Sequence, residues 1–187
     1  FCSDKIKEYK LGEWAVAMVQ ARGLTISQKA LALLTDHIGN DLSRLYNEVE
    51  KLTINLKDRK NITEDDIEIY IGISKEFNVF ELQDALAKRD LAKAIRIIQY
   101  FEDNPKAAPI QLILPSLYSF FSKVSMIFAV GLNDEKAIVS VAGIPPYFVK
   151  DYIAAARNYE YEGIEKILLL LHQYNLKVVG VGDTGTS

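Results

Sequence analysis

Apolar residues recur at intervals of three and four along almost the whole chain, and that spacing does most to narrow the folds open to it. A period near 3.6 lines such residues up on one side of a helix, and little strand-like alternation competes with it. Leu11, Trp14, Ala15, Met18 and Val19 form one stripe, Ala30, Leu31, Leu34 and Ile38 a second, and Leu42, Leu45, Val49 and Leu52 a third. Ile67, Tyr70 and Ile71 make the apolar side of a shorter segment. Leu91, Ala94, Ile95, Ile98 and Phe101 follow, and then Ile164, Ile167, Leu168 and Leu171, a stripe broadened by Leu169 and Leu170. The expected fold class is all-α.

Punctuating residues place the helix ends. Gly23 suits a left-handed stop, and Ser27 an N-cap. Gly39 ends the second helix, and Asn40 or Asp41 opens the third. Thr63 opens the fourth, where Glu64, Asp65 and Asp66 form a first turn that complements the helix dipole and is expected to be solvated. Asn78-Val79-Phe80-Glu81 has a capping-box pattern, and Asp84 and Lys88 stand four apart in the favourable order. Asp90 caps the next helix, and Asn104-Pro105 breaks it. Pro109 suits a first helical position, whereas Pro115 is expected to kink or split the apolar stretch Ile110 to Val130. That stretch is hydrophobic on most sides and belongs in a core. Asn133-Asp134 starts a short helix, Pro145-Pro146 another running to about Arg157, and Glu160 to about Val178 gives the last. A joint is expected near residues 72 to 78.

Reactive chemistry finds little support. With a net charge of −3 and a pI near 5.5, no overall positive field draws nucleic acid or an anionic membrane. The single cysteine, Cys2, excludes a disulfide framework or thiolate metal cage within one chain. No apolar run suggests a membrane span. His37 and His172 lack zinc-ligand spacing and read as structural, His37 complementing a helix C-terminus. Tyr118, Phe120, Phe121 and Phe128 read as core rather than as base-stacking platforms. The tail, "VVGVGDTGTS", has the letters of an aspartic-protease loop but only one Asp-Thr-Gly and no β-scaffold. It also has the glycines of a phosphate loop, but Thr186 stands where the lysine is needed. Gly180 and Gly182 therefore read as a helix stop, and Asp183 to Ser187 as a connecting loop whose Thr186 or Ser187 would cap a further helix. No catalytic, cofactor-binding or metal-ligating residue is expected.

"GNDLSRLYNEVEKL", Gly39 to Leu52, resembles the lid-domain helix of the delta-subunit family of the bacterial DNA polymerase III clamp loader. In that family a Gly-x-Asp-Leu start leads into a helix ending Asn-Glu-x-x-Lys-Leu. Ile62-Thr-Glu-Asp-Asp-Ile67 resembles the family's closing lid helix, and Phe77 to Leu86 the entry to its collar domain. Leu176-Lys177 with the following glycines resembles the loop before its final helix. The resemblance implies an AAA+ lid over 1–72 and a collar over 77–187 without its last helix, with an N-terminal AAA+ domain that contacts the sliding clamp lying outside this stretch. It further implies motor and delta-prime subunits as partners through the collar, primed DNA in the assembled complex, no membrane partner, and a bacterial cytoplasmic location at the replisome. In ATP-hydrolysing relatives an arginine follows the residue matched to Leu42. Here that place holds Ser43, and Arg44, a surface charge within reach of Glu48, comes one position later, about 100° further round the helix. The implied function is a non-catalytic clamp-loader subunit. The alternatives are the lid and collar of an ATP-hydrolysing subunit, or a helical nucleic-acid-binding module.

Overall fold

The computed structural model describes residues 8–38, 41–56, 59–105 and 108–178. The chain divides into two compact units, Phe1–Asn78 and Val79–Ser187.

In the first unit, α1 (Glu8–Gln20) packs against α2 (Gln28–Ile38) and α3 (Leu42–Asn55). Leu45, Val49 and Leu52 all point into the core, as do Leu11, Ala15 and Val19, while Trp14 from the same expected stripe is half exposed. Gly23 takes φ +71 and closes α1. Ser27 caps α2, accepting the Ala30 amide at 3.0 Å, and its hydroxyl donates to Glu64 Oε2 at 3.0 Å. Two strands too short to leave a trace in the sequence pattern also occur. β1 (Thr25–Ile26) and β2 (Asn61–Ile62) pair in parallel, Thr25 opposite Asn61 and Ile26 opposite Ile62. The unit closes with α4 (Glu64–Asp66), which widens into a π-helical turn over Ile67–Ile71.

The second unit contains α5 (Val79–Ala87), α6 (Leu91–Asp103), α7 (Ile110–Val130), α8 (Glu135–Ala142), a 3-10 turn (Pro146–Phe148) and α9 (Val149–Val178). Asp90 and Asp134 cap α6 and α8 through the Lys93 and Ala137 amides, each at 3.0 Å. The central contact is α7 against α9. Phe120, Phe121, Val124 and Ile127 of α7 meet Ile153, Ala156 and Ile164 of α9, with Ile138 and Ile144 completing the core. Gln83 is buried and ties α5 to α7, its Nε2 donating to Ser116 Oγ at 3.0 Å.

Of the two outcomes expected from the sequence, splitting does not occur, and Pro115 lies inside α7. It falls in the second turn on the exposed side, so one amide-to-carbonyl bond is lost where solvent can replace it. The core placement of this segment holds for one face only, because Ile110, Leu112, Tyr118 and Met126 are exposed. In α9 the expected separation does occur. The backbone leaves helical geometry at Glu160, with φ 55 and ψ 174.

Candidate interaction surfaces

The residues singled out for possible chemistry are not gathered together. Among the described residues no group of three or more His, Cys, Asp and Glu side chains could hold a metal ion. Cys2, Gly39, Asn40 and the whole tail from Val179 lie outside the described residues. His172 is exposed on the last helix.

His37 does not act as a protonated partner for its helix end. Arg44 Nη2 lies 2.8 Å from its Nε2. Burial holds the imidazole below its usual range, and the Arg44 charge pushes the same way. The ring is therefore neutral at pH 7 and accepts from Arg44. This corrects the expected pairing of Arg44 with Glu48, which instead bonds Lys51 at 2.7 Å. Ser43, beside Arg44 in the first turn of α3, is exposed. Asp41 caps that turn by accepting the Arg44 amide at 2.9 Å.

The acidic run at 64–66 is only partly a solvated turn. Asp65 is exposed and pairs with Lys75 at 2.7 Å. Asp66 is 1% exposed. Its carboxylate closes a capping box, accepting the Thr63 amide at 2.8 Å and the Thr63 hydroxyl at 2.9 Å, and it forms an ion pair with Arg59. Burial pushes the Asp66 carboxyl up, but the bonds from the Thr63 amide, Arg59 and the Thr63 hydroxyl outweigh it and hold the group below its usual range. The Thr63 bonds are local, whereas the sequence pattern missed the ion pair because Arg59 comes from outside the helix.

The second unit is notable for the apolar side chains it leaves outside. On α6 the inward face is Ala94, Ile97 and Phe101. Leu91, Ile95 and Ile98, expected in the buried stripe, are instead 67%, 54% and 45% exposed. They stand at i, i+4 and i+7 and so form a continuous row flanking the buried one. On the distal part of α9, Ile164 is buried and Ile167, Leu168 and Leu171 pack on the core, while Leu169, Leu170 and Tyr174 are exposed. Contiguous exposed apolar rows are candidate surfaces for meeting another molecule. Helix α7 is long and apolar enough to cross a membrane by length and composition, a feature the sequence pattern did not bring out. Burial accounts for one face of it, where Ile113, Leu117, Phe120, Phe121, Val124 and Ile127 meet the core.

A joint ties the end of α5 to α9. Helix α5 ends in a Schellman turn, the Asp90 amide donating to the Ala85 carbonyl at 2.8 Å and the Arg89 amide to Leu86 at 2.9 Å. The left-handed position, usually glycine, is Arg89 at φ 58. From α9, Asn158 Nδ2 donates to the Ala87 carbonyl at 2.7 Å and the Tyr159 hydroxyl to Leu86 at 2.8 Å. Arg89 Nη1 returns a bond to the Asn158 carbonyl at 3.3 Å and lies 5.6 Å from the centre of the Tyr159 ring. The ends of two helix segments thus cap one another.

Residues 76–180 match the family described as DNA polymerase III delta subunit, C-terminal domain. The chain is 24% identical over 168 residues to DNA polymerase III subunit delta of Bacillus subtilis (strain 168), covering 88% of this chain and 48% of that protein. It is 26% identical over 97 residues to the probable DNA polymerase III subunit delta of Aquifex aeolicus (strain VF5), covering 51% of this chain and 28% of that one. Its fold is similar to that of the solved Bacillus subtilis DNA clamp loader delta protein, with a TM-score of 0.57 at 22% identity, over 98% of this chain and 53% of the other. The chain thus spans about half the length of its Bacillus relative, or less for the shorter match.

Proposed function

Because the chain belongs to the family of DNA polymerase III delta C-terminal domains, we propose that it forms the lid and collar of a clamp-loader delta subunit. In this reading residues 1–72 are the lid and the collar begins at 77. The role is assembly rather than chemistry. The collar helices dock on the motor and delta-prime subunits, and the assembled loader places the sliding clamp on primed DNA in the bacterial cytoplasm.

The observation that carries this reading is the exposed apolar row on α6, with its counterpart on distal α9. Burying such side chains against a partner contributes about 25 cal/mol per Å² before the costs of association are met. Ser43, standing where a hydrolysing relative carries its phosphate-facing arginine, supports the delta reading over that of an ATP-hydrolysing lid. Arg44, one place later, is engaged with His37.

The test is co-migration of the chain with motor and delta-prime subunits on a sizing column, comparing wild type with Ile95→Glu and Leu169→Glu. Each charge placed in an apolar contact is expected to weaken assembly at least about tenfold. Undiminished assembly by both variants, or none by the wild type, refutes the proposal.

A further inference from the structure

The break in α9 is the most strained point of the second unit, and the local sequence does not demand it. Glu160 at φ 55 and ψ 174 occupies a region populated almost only by glycine. No proline lies between Val149 and Val178, and the one glycine in that stretch, Gly163, comes after the break. Ala154, Ala155, Ala156 and Arg157 before it, and Glu162 after it, all favour helix. The bend is imposed by packing. Ahead of it, Asn158 and Tyr159 are tied to the end of α5. Beyond it, Ile164 enters the core and Tyr161 packs edge-on against Phe128 of α7, centroids 5.6 Å apart.

We infer that the arm formed by residues 161–178 exchanges between two copies of this chain. Helix α9 straightens through Glu160, and its arm seats on the core of the second copy, where Tyr161 meets that copy's Phe128. At about 1.5 Å per residue the arm is about 27 Å long, so a straightened α9 carries it clear of its own core. The packing given up at home is regained in kind across the dimer, which is why exchange of an identical element is a low-cost route to association. The balance then turns on the hinge. Straightening returns Glu160 to helical geometry in both chains and restores helical hydrogen bonds across the break, and a one-residue connection under strain favours exchange. Asn158 and Tyr159 precede the hinge and continue to anchor the first half of α9. The inference rests on the packing of the second unit alone and is independent of the clamp-loader reading.

The experiment uses the 187-residue chain with Cys2→Ser, Phe128→Cys and Tyr161→Cys, unfolded and refolded at high concentration, then oxidised. Mass is read by light scattering and connectivity on a non-reducing denaturing gel. The expected product is a dimer joined by disulfides between chains. Without the added cysteines, Glu160→Gly removes the strain from the closed form and raises the dimer dissociation constant by about a hundredfold, about tenfold for each hinge. Glu160→Ala, which keeps the strain, remains dimeric. Monomer alone for both wild type and Glu160→Ala overturns the inference. So does a dimer whose bridges close within each chain, since it associates through another surface. If no bridge closes, equal dissociation constants for wild type and Glu160→Gly overturn it as well.

Discussion

Asp66 shows how much one side chain can hold. Its carboxylate satisfies the Thr63 amide and hydroxyl at the start of α4 and meets Arg59 from the preceding connection. Asp66→Ala removes a cap and two further charge-assisted bonds. It is expected to destabilise the first unit by about 2–3 kcal/mol in chemical denaturation, the Arg59 share being small because that side chain is more than half exposed. The pH dependence follows from the depressed carboxyl. Its contribution is full above the unfolded value of about 3.9 and is lost as pH falls through the lower folded value. His37 has the same sign in a higher window. Its folded form favours the neutral ring, so stability is present above about pH 6.5 and declines as pH drops below it. A denaturation series from about pH 8 to 3 should therefore show two separate declines, the upper one absent in His37→Gln and the lower one absent in Asp66→Asn. At this scale the sequence was legible where the partner is local. Asp41, Asp90 and Asp134 cap their own helices three residues on. It was not legible for the pairing of Asp66 with Arg59 or of Arg44 with His37, where the partner comes from another element.

Among the helices, those with one apolar face were legible and those with two were not. In α3 the polar remainder leaves no choice, and Leu45, Val49 and Leu52 are all fully buried. In α6 two apolar rows compete, and periodicity cannot say which goes inward. Packing against α5 selects Ala94, Ile97 and Phe101. The same ambiguity put Leu169 and Leu170 in the core stripe of α9, whereas both lie outside. The cross-capped joint between α5 and α9 was equally invisible, because its bonds join residues about seventy positions apart. Burial pushes the Tyr159 phenol up, with Arg89 opposing, so the hydroxyl is a proton donor throughout the neutral range. Tyr159→Phe keeps the ring and strips the Leu86 carbonyl of that bond. It should lower the thermal stability of the second unit by about 1 kcal/mol, measured by calorimetry. No change would mean that the cross-cap contributes nothing to stability.

For the molecule as a whole, the hydrophobic cluster from Leu86 to Leu171 draws only on residues of the second unit. A fragment of residues 79–178 is therefore expected to fold alone, with a cooperative thermal transition and the helical circular-dichroism signature of the second unit. A fragment lacking cooperative melting would show that its core needs residues from the first unit. The all-α class was readable because it rests on long periodic segments, which local physics dominates, and the family resemblance because it rests on short stretches such as Gly39 to Leu52. The small parallel pair was not readable, since two residues per strand carry no alternation. That pair also bears on the order in which the first unit forms. The Thr25 hydroxyl donates to Asn61 across 36 positions of chain, and Ser27 to Glu64 across 37. Closing so long a circuit is entropically slow, whereas α2 and α3 within it form from neighbouring residues. The clasp is thus a late event on the folding route. Ile62→Val should quicken unfolding while leaving the refolding rate almost unaltered, a pattern that stopped-flow kinetics would reveal.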